Sequence, residues 1–328
     1  MKNRSPLRSR EQTESTPLLS VSMLSYNQRE YLSRAIESVL DQVTDFPCEI
    51  VIGDDCSDDG SQELLREYQG KYPHLIRLHL HPERFADKIP GRSNNMINLT
   101  SCRGKYIAML DGDDYWTDPD KLQKQVAIME GRPDLSLSCH ESVVEMEDDL
   151  REESTPTYFS EFTPRTLEEG TYNMHDLTRH WYLPFHVSSL VMRKEMLLPF
   201  PEWFEEVLAA DKAIIYHLVS QGDFHYSTRP ASVRYVGEEN FTSQPIYSSE
   251  EYQAHKKYDE QLFLEHYPDL WTSDYADGLK ERTLFYEGKS LLKRGKYLAG
   301  AARLASAGPV FYLRALYRRG RDGVSVKK

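Results

Sequence analysis

Asp111-Gly112-Asp113-Asp114 follows Tyr106-Ile107-Ala108-Met109-Leu110 without a break. The apolar run reads as a strand buried on both faces, and it ends in three carboxylates around a glycine. Like charges crowded at a strand end repel and raise one another's pKa unless a cation or donor groups compensate. A divalent metal with oxygen ligands would compensate, with a phosphate on its far side. In open α/β sheets the carboxyl ends of strands are also where ligands bind. An acidic turn leading into a helix would give the same letters, so the surrounding chain has to separate the two readings.

The elements that must position these carboxylates alternate through the first half. Leu18 to Leu24 is apolar and extended, and Ser25-Tyr26-Asn27 closes it ahead of a helix marked by Tyr31, Leu32, Ala35, Ile36, Val39 and Leu40. Glu49 to Gly53 repeats the plan, running into Asp54-Asp55-Cys56-Ser57-Asp58-Asp59-Gly60-Ser61 and a helix with Leu64, Leu65 and Tyr68. A strand fits Ile76 to His81, and a short helix fits Ser93 to Ser101. Strands alternating with helices predict βαβ units and a parallel sheet covered on both faces. Later, Lys121 to Glu130 is helical by pattern and Leu135 to His140 extended. The acidic stretch Glu145 to Thr155 reads as a mobile loop, and Ser188 to Met192 is β-like. Asp211 opens a helix with Ile214, Ile215, Leu218 and Val219, two short strands cover Phe224–Ser227 and Ala231–Val236, and the pattern beyond Ser248 is helical.

At 328 residues with 39% hydrophobic content, the chain can bury a substantial core. Cys48, Cys56, Cys102 and Cys139 form no Cys-x-x-Cys pair, so reduced thiols and a cytoplasmic location are expected. Met1 to Pro17 has no apolar core of the signal-peptide kind and reads as a disordered leader. The net charge of −12 conceals an asymmetry: from Gly288 onward there are eleven Lys/Arg against Asp322 alone. An acidic body with no recognition module argues against nucleic acid as a partner. The basic end, with Leu291, Leu292, Leu298, Phe311 and Leu316 among its cations, suits either an anionic membrane surface or packing on protein.

Taken together, Val21-Ser22-Met23-Leu24-Ser25-Tyr26-Asn27, Ile50 to Ser61, and Gly104-Lys105-Tyr106-Ile107 leading into Asp111-Gly112-Asp113-Asp114 resemble the family 2 glycosyltransferases, inverting enzymes of the GT-A fold. The order and spacing of the pieces match as well as their residues. Asp113-Asp114-Tyr115-Trp116-Thr117-Asp118-Pro119 and Lys121-Leu122-Gln123-Lys124-Gln125 extend the resemblance to a subgroup found among bacterial surface-polysaccharide enzymes. Two positions depart from the pattern. Asn95 stands where the family has an arginine, and Val233-Arg234-Tyr235-Val236 stands where it has Tyr-Arg-x-His.

The resemblance implies an α/β GT-A architecture, a mostly parallel, Rossmann-like central sheet flanked by helices, to which the sequence pattern adds a helical C-terminal extension. Composition, pattern and resemblance together divide the chain into a leader (1–17), a catalytic domain (18–247) with a nucleotide-binding half (18–135) and an acceptor-binding half (136–247), and a basic extension (248–328). The resemblance also implies transfer of a sugar from a nucleotide diphosphate, UDP-linked, to a saccharide on a lipid carrier. Asp111 and Asp113 are then the ligands of Mn2+ or Mg2+. Tyr26, Asp55 and Asp111 serve the nucleotide, with Asp55 accepting from a base N–H and Tyr26 stacking. Asp211 matches the family's general base, with Glu205 and Glu206 as fallbacks, and Ala210 replaces a glutamate. Trp116 and His186 are expected to shape the acceptor pocket, since aromatic faces suit sugar rings. A structural histidine is the alternative at His186. Two other classes compete: a non-catalytic nucleotide-sugar-binding protein, and a phosphatase with an aspartate nucleophile, whose Asp-x-Asp normally sits on the first strand of its domain.

Overall fold

A computed structural model of the chain describes residues 4–9, 16–87, 91–147, 156–163, 166–178, 183–208, 210–237, 258–259, 261–268, 284 and 296–306. The first half holds β1 (Ser5–Pro6), β2 (Leu19–Ser25), α1 (Arg29–Leu40), β3 (Val43–Thr44), β4 (Cys48–Asp54), α2 (Ser61–Lys71), β5 (Ile76–Leu80), α3 (Arg92–Ser101), β6 (Tyr106–Asp111), β7 (Tyr115–Trp116) and α4 (Lys121–Gly131). The second half holds β8 (Leu135–Met146), β9 (Thr157–Tyr158), β10 (Gly170–Tyr172), α5 (Met174–Thr178), β11 (Val191–Arg193), α6 (Lys194–Leu197), α7 (Ala210–Val219) and β12 (Asp223–Val236). Near the end lies α8 (Tyr297–Ser306).

One sheet organises these elements, with strand order β10-β12-β8-β11-β6-β2-β4-β5. Its β6-β2-β4-β5 half is parallel throughout. The parallel plan changes at β11, a three-residue strand antiparallel to both β6 and β8, while β8 and β12 are parallel to each other. The sheet is therefore mixed in its second half. β1 and β3 form a separate two-stranded ribbon.

Alternation along the strands builds a core on each face. Tyr106, Ala108 and Leu110 of β6 join Leu32 and Ile36 of α1 and Leu122 and Val126 of α4. Ile107 and Met109 point the other way, into a cluster with Leu99 of α3 and Ile214, Ile215 and Leu218 of α7. At about 1.5–3 kcal/mol for each fully buried aliphatic side chain, these layers outweigh the cost of crowding polar groups at the strand ends.

α3 is unusual in turning asparagines inward, with Asn94, Asn95 and Asn98 all buried. The Asn98 amide donates to Ser22 Oγ (2.8 Å), Val51 O (2.9 Å) and Met23 O (3.2 Å), fastening the helix across β2 and β4. Asn94 donates to Gly53 O at 3.0 Å, and it comes so near that a Cβ at Gly53 would lie 2.3 Å from Asn94 Oδ1. Only glycine allows that approach.

Three expectations need correcting. β8 continues to Met146 through the polar Glu141–Glu145 stretch, because β12 pairs with it as far as Val236 and buries Ser142 against Ser232 (2.8 Å between hydroxyls). The two short strands expected after Gly222 are one strand, β12, with its register shifted between Ser227 and Ser232. The strand expected from Ser188 begins only at Val191, because Val187–Ser189 is a 3-10 turn. Most of the leader, the rest of the expected acidic loop (148–155) and most of the region beyond 248 lie outside the described residues. Among the described residues no helix is long and apolar enough to cross a membrane.

Candidate active site

β2, β4 and β6 deliver their carboxyl ends side by side, which brings Tyr26, Asp55 and Asp111 to one edge of the sheet. The loops there are stitched together by short polar groups. Asp54 accepts from Ser57 N–H (2.9 Å) and Ser57 Oγ (2.6 Å), while Ser57 Oγ accepts from Asn27 N–H at 2.9 Å. Asp59 accepts from the N–H groups of Arg29 (2.8 Å) and Ser61 (2.9 Å) at the starts of α1 and α2. These residues fix the walls. Within them Tyr26 is 36% exposed and carries the Arg84 guanidinium 4.1 Å above its ring. Asp55 is buried, and its Oδ1 accepts from Phe85 N–H at 3.1 Å. Burial raises its carboxyl, partly offset by that bond and by the charge of Arg84.

The carboxylates after β6 are held by a turn that the motif alone does not reveal. Gly112 N–H donates to Leu24 O at 2.9 Å, and a Cβ there would meet Gln28 Oε1 at 2.5 Å and Leu24 O at 2.8 Å. Asp114, 2% exposed, accepts from Ser188 Oγ at 2.5 Å through Oδ2 and from Tyr235 N–H at 3.0 Å through Oδ1. Asp111 N–H in turn donates to Ser188 Oγ at 3.2 Å. Ser188 thus joins both ends of the motif to the 3-10 turn, and Asp114 ties that turn to β12.

Trp116 is built into this brace. It is 4% exposed, and its Nε1–H donates to Ser188 O at 2.8 Å. Its ring carries the buried Lys121 Nζ at 4.2 Å, and that nitrogen donates to Gln125 Oε1 at 2.8 Å. The Gln125 amide donates to Ser138 O and Ser189 O, both at 2.9 Å. An indole at a strand end can face ligand or core; here the Lys121 side chain and the turn enclose it.

Asp111, Asp114 and His186 bring their ligand atoms within 4.8 Å of one another. The sequence named Asp111 and Asp113; Asp113 lies near enough for its charge to raise both neighbours. Burial first, then the charges of Asp113 and Asp211, pushes the Asp111 carboxyl up to about 8, against which Arg234 pulls it down. Burial and the charges of Asp113 and Asp111 raise Asp114, while burial and the charges of Arg234 and His140 hold the His186 imidazole well below its ordinary value. Glu49 shows the opposite case. Burial would raise it too, yet hydrogen bonds from Arg103, Ser20 and Arg77 bring it below its ordinary value. A buried carboxylate with enough donors is content as an anion, and Asp111 is not. The cluster has the electrostatic character of a site that fits a divalent cation.

Asp211 enters from the far side of the sheet, in the first turn of α7. The Asn95 amide donates to its Oδ1 at 3.5 Å, and Arg92 of α3 donates to Phe204 O and Val207 O, both at 2.5 Å, just before that helix. α3 therefore sets the position of the α7 start. Burial raises the Asp211 carboxyl. Sequence reasoning singled out Asn95 as a departure; its contact with Asp211, and the parts played by Ser188, Arg84 and Arg92, come from long-range packing with no local motif.

A pH dependence follows for the metal-free protein. The unfolded chain releases the Asp111 proton near pH 4, whereas the folded chain keeps it to about 8. This group's contribution to stability is fully present below about pH 4 and is lost as pH rises through about 8. With chelator present, Asp111→Asn should melt above the parent at pH 8.5, by about 2–4 °C per kcal/mol of repulsion relieved, with a smaller gap at pH 6. Thermal melts at the two pH values check this; a gap that does not depend on pH would contradict it.

Residues 20–197 match glycosyl transferase family 2. An uncharacterized Mycobacterium tuberculosis protein is 37% identical over 138 residues, which is 42% of this chain and 39% of that protein. The chondroitin synthase of Escherichia coli is 36% identical over 128 residues, 38% of this chain and 16% of that protein. The match thus spans about two fifths of the first relative's length and less of the second's. The mannosyltransferase PcManGT from Pyrobaculum calidifontis, solved with GDP-Man and Mn2+, superposes with a TM-score of 0.51 at 16% identity over 98% of this chain and 83% of that one. That likeness shows the GT-A fold, and with more than half its length inside the family match, this chain belongs to glycosyl transferase family 2.

Proposed function

We propose that the chain is an inverting, metal-dependent glycosyltransferase that moves a sugar from a nucleotide diphosphate, UDP-linked, to a saccharide acceptor on a lipid carrier in surface polysaccharide synthesis. One observation carries the reading: the ligand atoms of Asp111, Asp114 and His186 come together at the same carboxyl edge of the sheet that holds Tyr26 and Asp55, with Asp211 near enough for its charge to raise Asp111. The reaction needs a site for the leaving diphosphate and a base for the attacking hydroxyl.

Asp111 and Asp113, with Asp114 as a further ligand, would hold Mn2+ or Mg2+. When bound, the ion supplies positive charge to the leaving diphosphate. Asp55 accepts from the base, Tyr26 offers its ring to the base, and Arg234, beside Asp111, adds positive charge at the same end. Asp211 takes the proton from the acceptor hydroxyl as its oxygen bonds to the anomeric carbon. The bond from that carbon to the diphosphate oxygen breaks, and attack from the opposite face inverts the centre. In this reading residues 18–135 form the nucleotide half and 136–247 the acceptor half. Leu298, 91% exposed on α8 within the basic segment, suits contact with an anionic membrane at its inner face.

The test is release of nucleoside diphosphate from a panel of nucleotide sugars with Mn2+, the metal of the Pyrobaculum complex. Manganese-dependent release with sugar transferred to an acceptor, lost in Asp113→Asn, supports the reading. Full activity in that variant sinks the metal assignment. Donor binding without turnover across donors and acceptors points to a binding protein, and phosphate release from a simple phosphomonoester points to the phosphatase class.

A further inference from the structure

The His186 imidazole stands against the carboxylates in a way that a hydrogen bond does not explain. Its Nδ1 lies 3.3 Å from Asp114 Oδ2. Yet that Nδ1 is buried without a hydrogen-bond partner, because the directions are wrong for an N–H···O contact. Two ligand atoms in neighbouring positions of an octahedral ion, each about 2.1 Å from the metal, lie roughly 3 Å apart. The observed spacing belongs to that arrangement, and the ligand atoms of Asp111, Asp114 and His186 all fall within the 4.8 Å span noted above.

The chain around His186 holds the ring in place. Its carbonyl accepts from both Ser189 N–H (3.0 Å) and Ser189 Oγ (2.6 Å), which pins the residue at the start of the 3-10 turn. The Phe159 ring sits 5.4 Å away, between centroids, and the side chain is 13% exposed. Ser188, one residue beyond Val187, holds Asp114 from the same turn. One short segment therefore presents a nitrogen ligand and orients the oxygen ligand next to it.

We propose that His186 Nδ1 is a direct ligand of the divalent cation, beside Asp114 Oδ2, so that the site offers a mixed nitrogen and oxygen donor set. The proposal rests on the metal-dependent reading above and deepens it. Imidazole favours transition metals, whereas all-oxygen sites suit Mg2+ equally well. The site should then prefer Mn2+ to Mg2+.

The experiment uses the whole chain with Mn2+ alone, then with Mn2+ and UDP, in electron spin-echo envelope modulation spectroscopy. The expected result is a 14N modulation from directly bound imidazole that changes to the 15N pattern when the protein is made with 15N-histidine, with no substitution required. His186→Gln should remove the modulation, weaken Mn2+ binding about tenfold or more, and narrow the Mn2+ over Mg2+ preference. Bound Mn2+ without a histidine nitrogen signal, or a signal that survives in His186→Gln, overturns the proposal while leaving sugar transfer intact. Failure to bind Mn2+ overturns it as well. Absence of turnover with every donor overturns the functional reading instead, whatever the spectrum shows.

Discussion

Asp211→Asn should lower turnover by about 10²–10⁴-fold while leaving affinity for nucleoside diphosphate within about threefold. Asparagine fills the same volume and still accepts from the Asn95 amide, so the start of α7 keeps its place. It cannot take a proton. Burial raises the Asp211 carboxyl, which makes it a stronger base than an exposed aspartate, and that strength has a cost in acid. The base works when deprotonated, so the rate should fall as pH drops through its raised pKa, with the acid limb above the ordinary carboxylate value of about 4. Steady-state rates from pH 5 to 9, with diphosphate binding by calorimetry, measure both parts. Turnover near that of the parent would remove Asp211 from the chemistry and return attention to Glu205 and Glu206.

Much of the fold was legible because local patterns specify it. The runs within Cys48–Asp54 and Tyr106–Asp111 are apolar on both faces, as strands covered by helices must be, and Leu19–Ser25 and Ile76–Leu80 alternate apolar with polar residues. α1, α2, α4 and α7 carry periodic apolar residues and stand where that periodicity marks helices. The region from Glu141 to Glu145 was illegible because its polar groups are satisfied at long range. Glu141 Oε2 accepts from Tyr226 OH (3.2 Å), and Glu145 Oε2 accepts from Tyr115 OH (2.9 Å), neither of them near in sequence. The same holds at the site. A run of aspartates announces a demand for cations or donors, but which aspartate meets the ion and which supports the chain depends on partners such as Ser188 and Tyr235, 74 and 121 residues away from Asp114. The surroundings of Trp116 were illegible for a related reason: an aromatic type says that a large surface will be covered, and only the fold says by what.

Asp114 should separate those two roles, because asparagine and alanine change it in opposite ways. Asparagine keeps a carbonyl oxygen for Tyr235 N–H, and its amide can donate to the Ser188 hydroxyl, so both ties survive. It also removes a carboxyl that burial, Asp113 and Asp111 hold well above the ordinary range. Metal-free Asp114→Asn should therefore be as stable as the parent or more so at pH 8, yet lose about 10²-fold or more in turnover because a negative charge beside the cation is gone. Alanine strands a buried backbone N–H and a buried hydroxyl, each worth about 1–3 kcal/mol when left unpaired. A total of about 3 kcal/mol is expected, or roughly 6–12 °C in Tm, as β12 and the Val187–Ser189 turn lose their shared acceptor. Urea and thermal unfolding in chelator compare the three proteins. Equal losses in both variants would mean that the charge itself stabilises the fold, and the brace built on Ser188 would then owe its geometry to something other than Asp114.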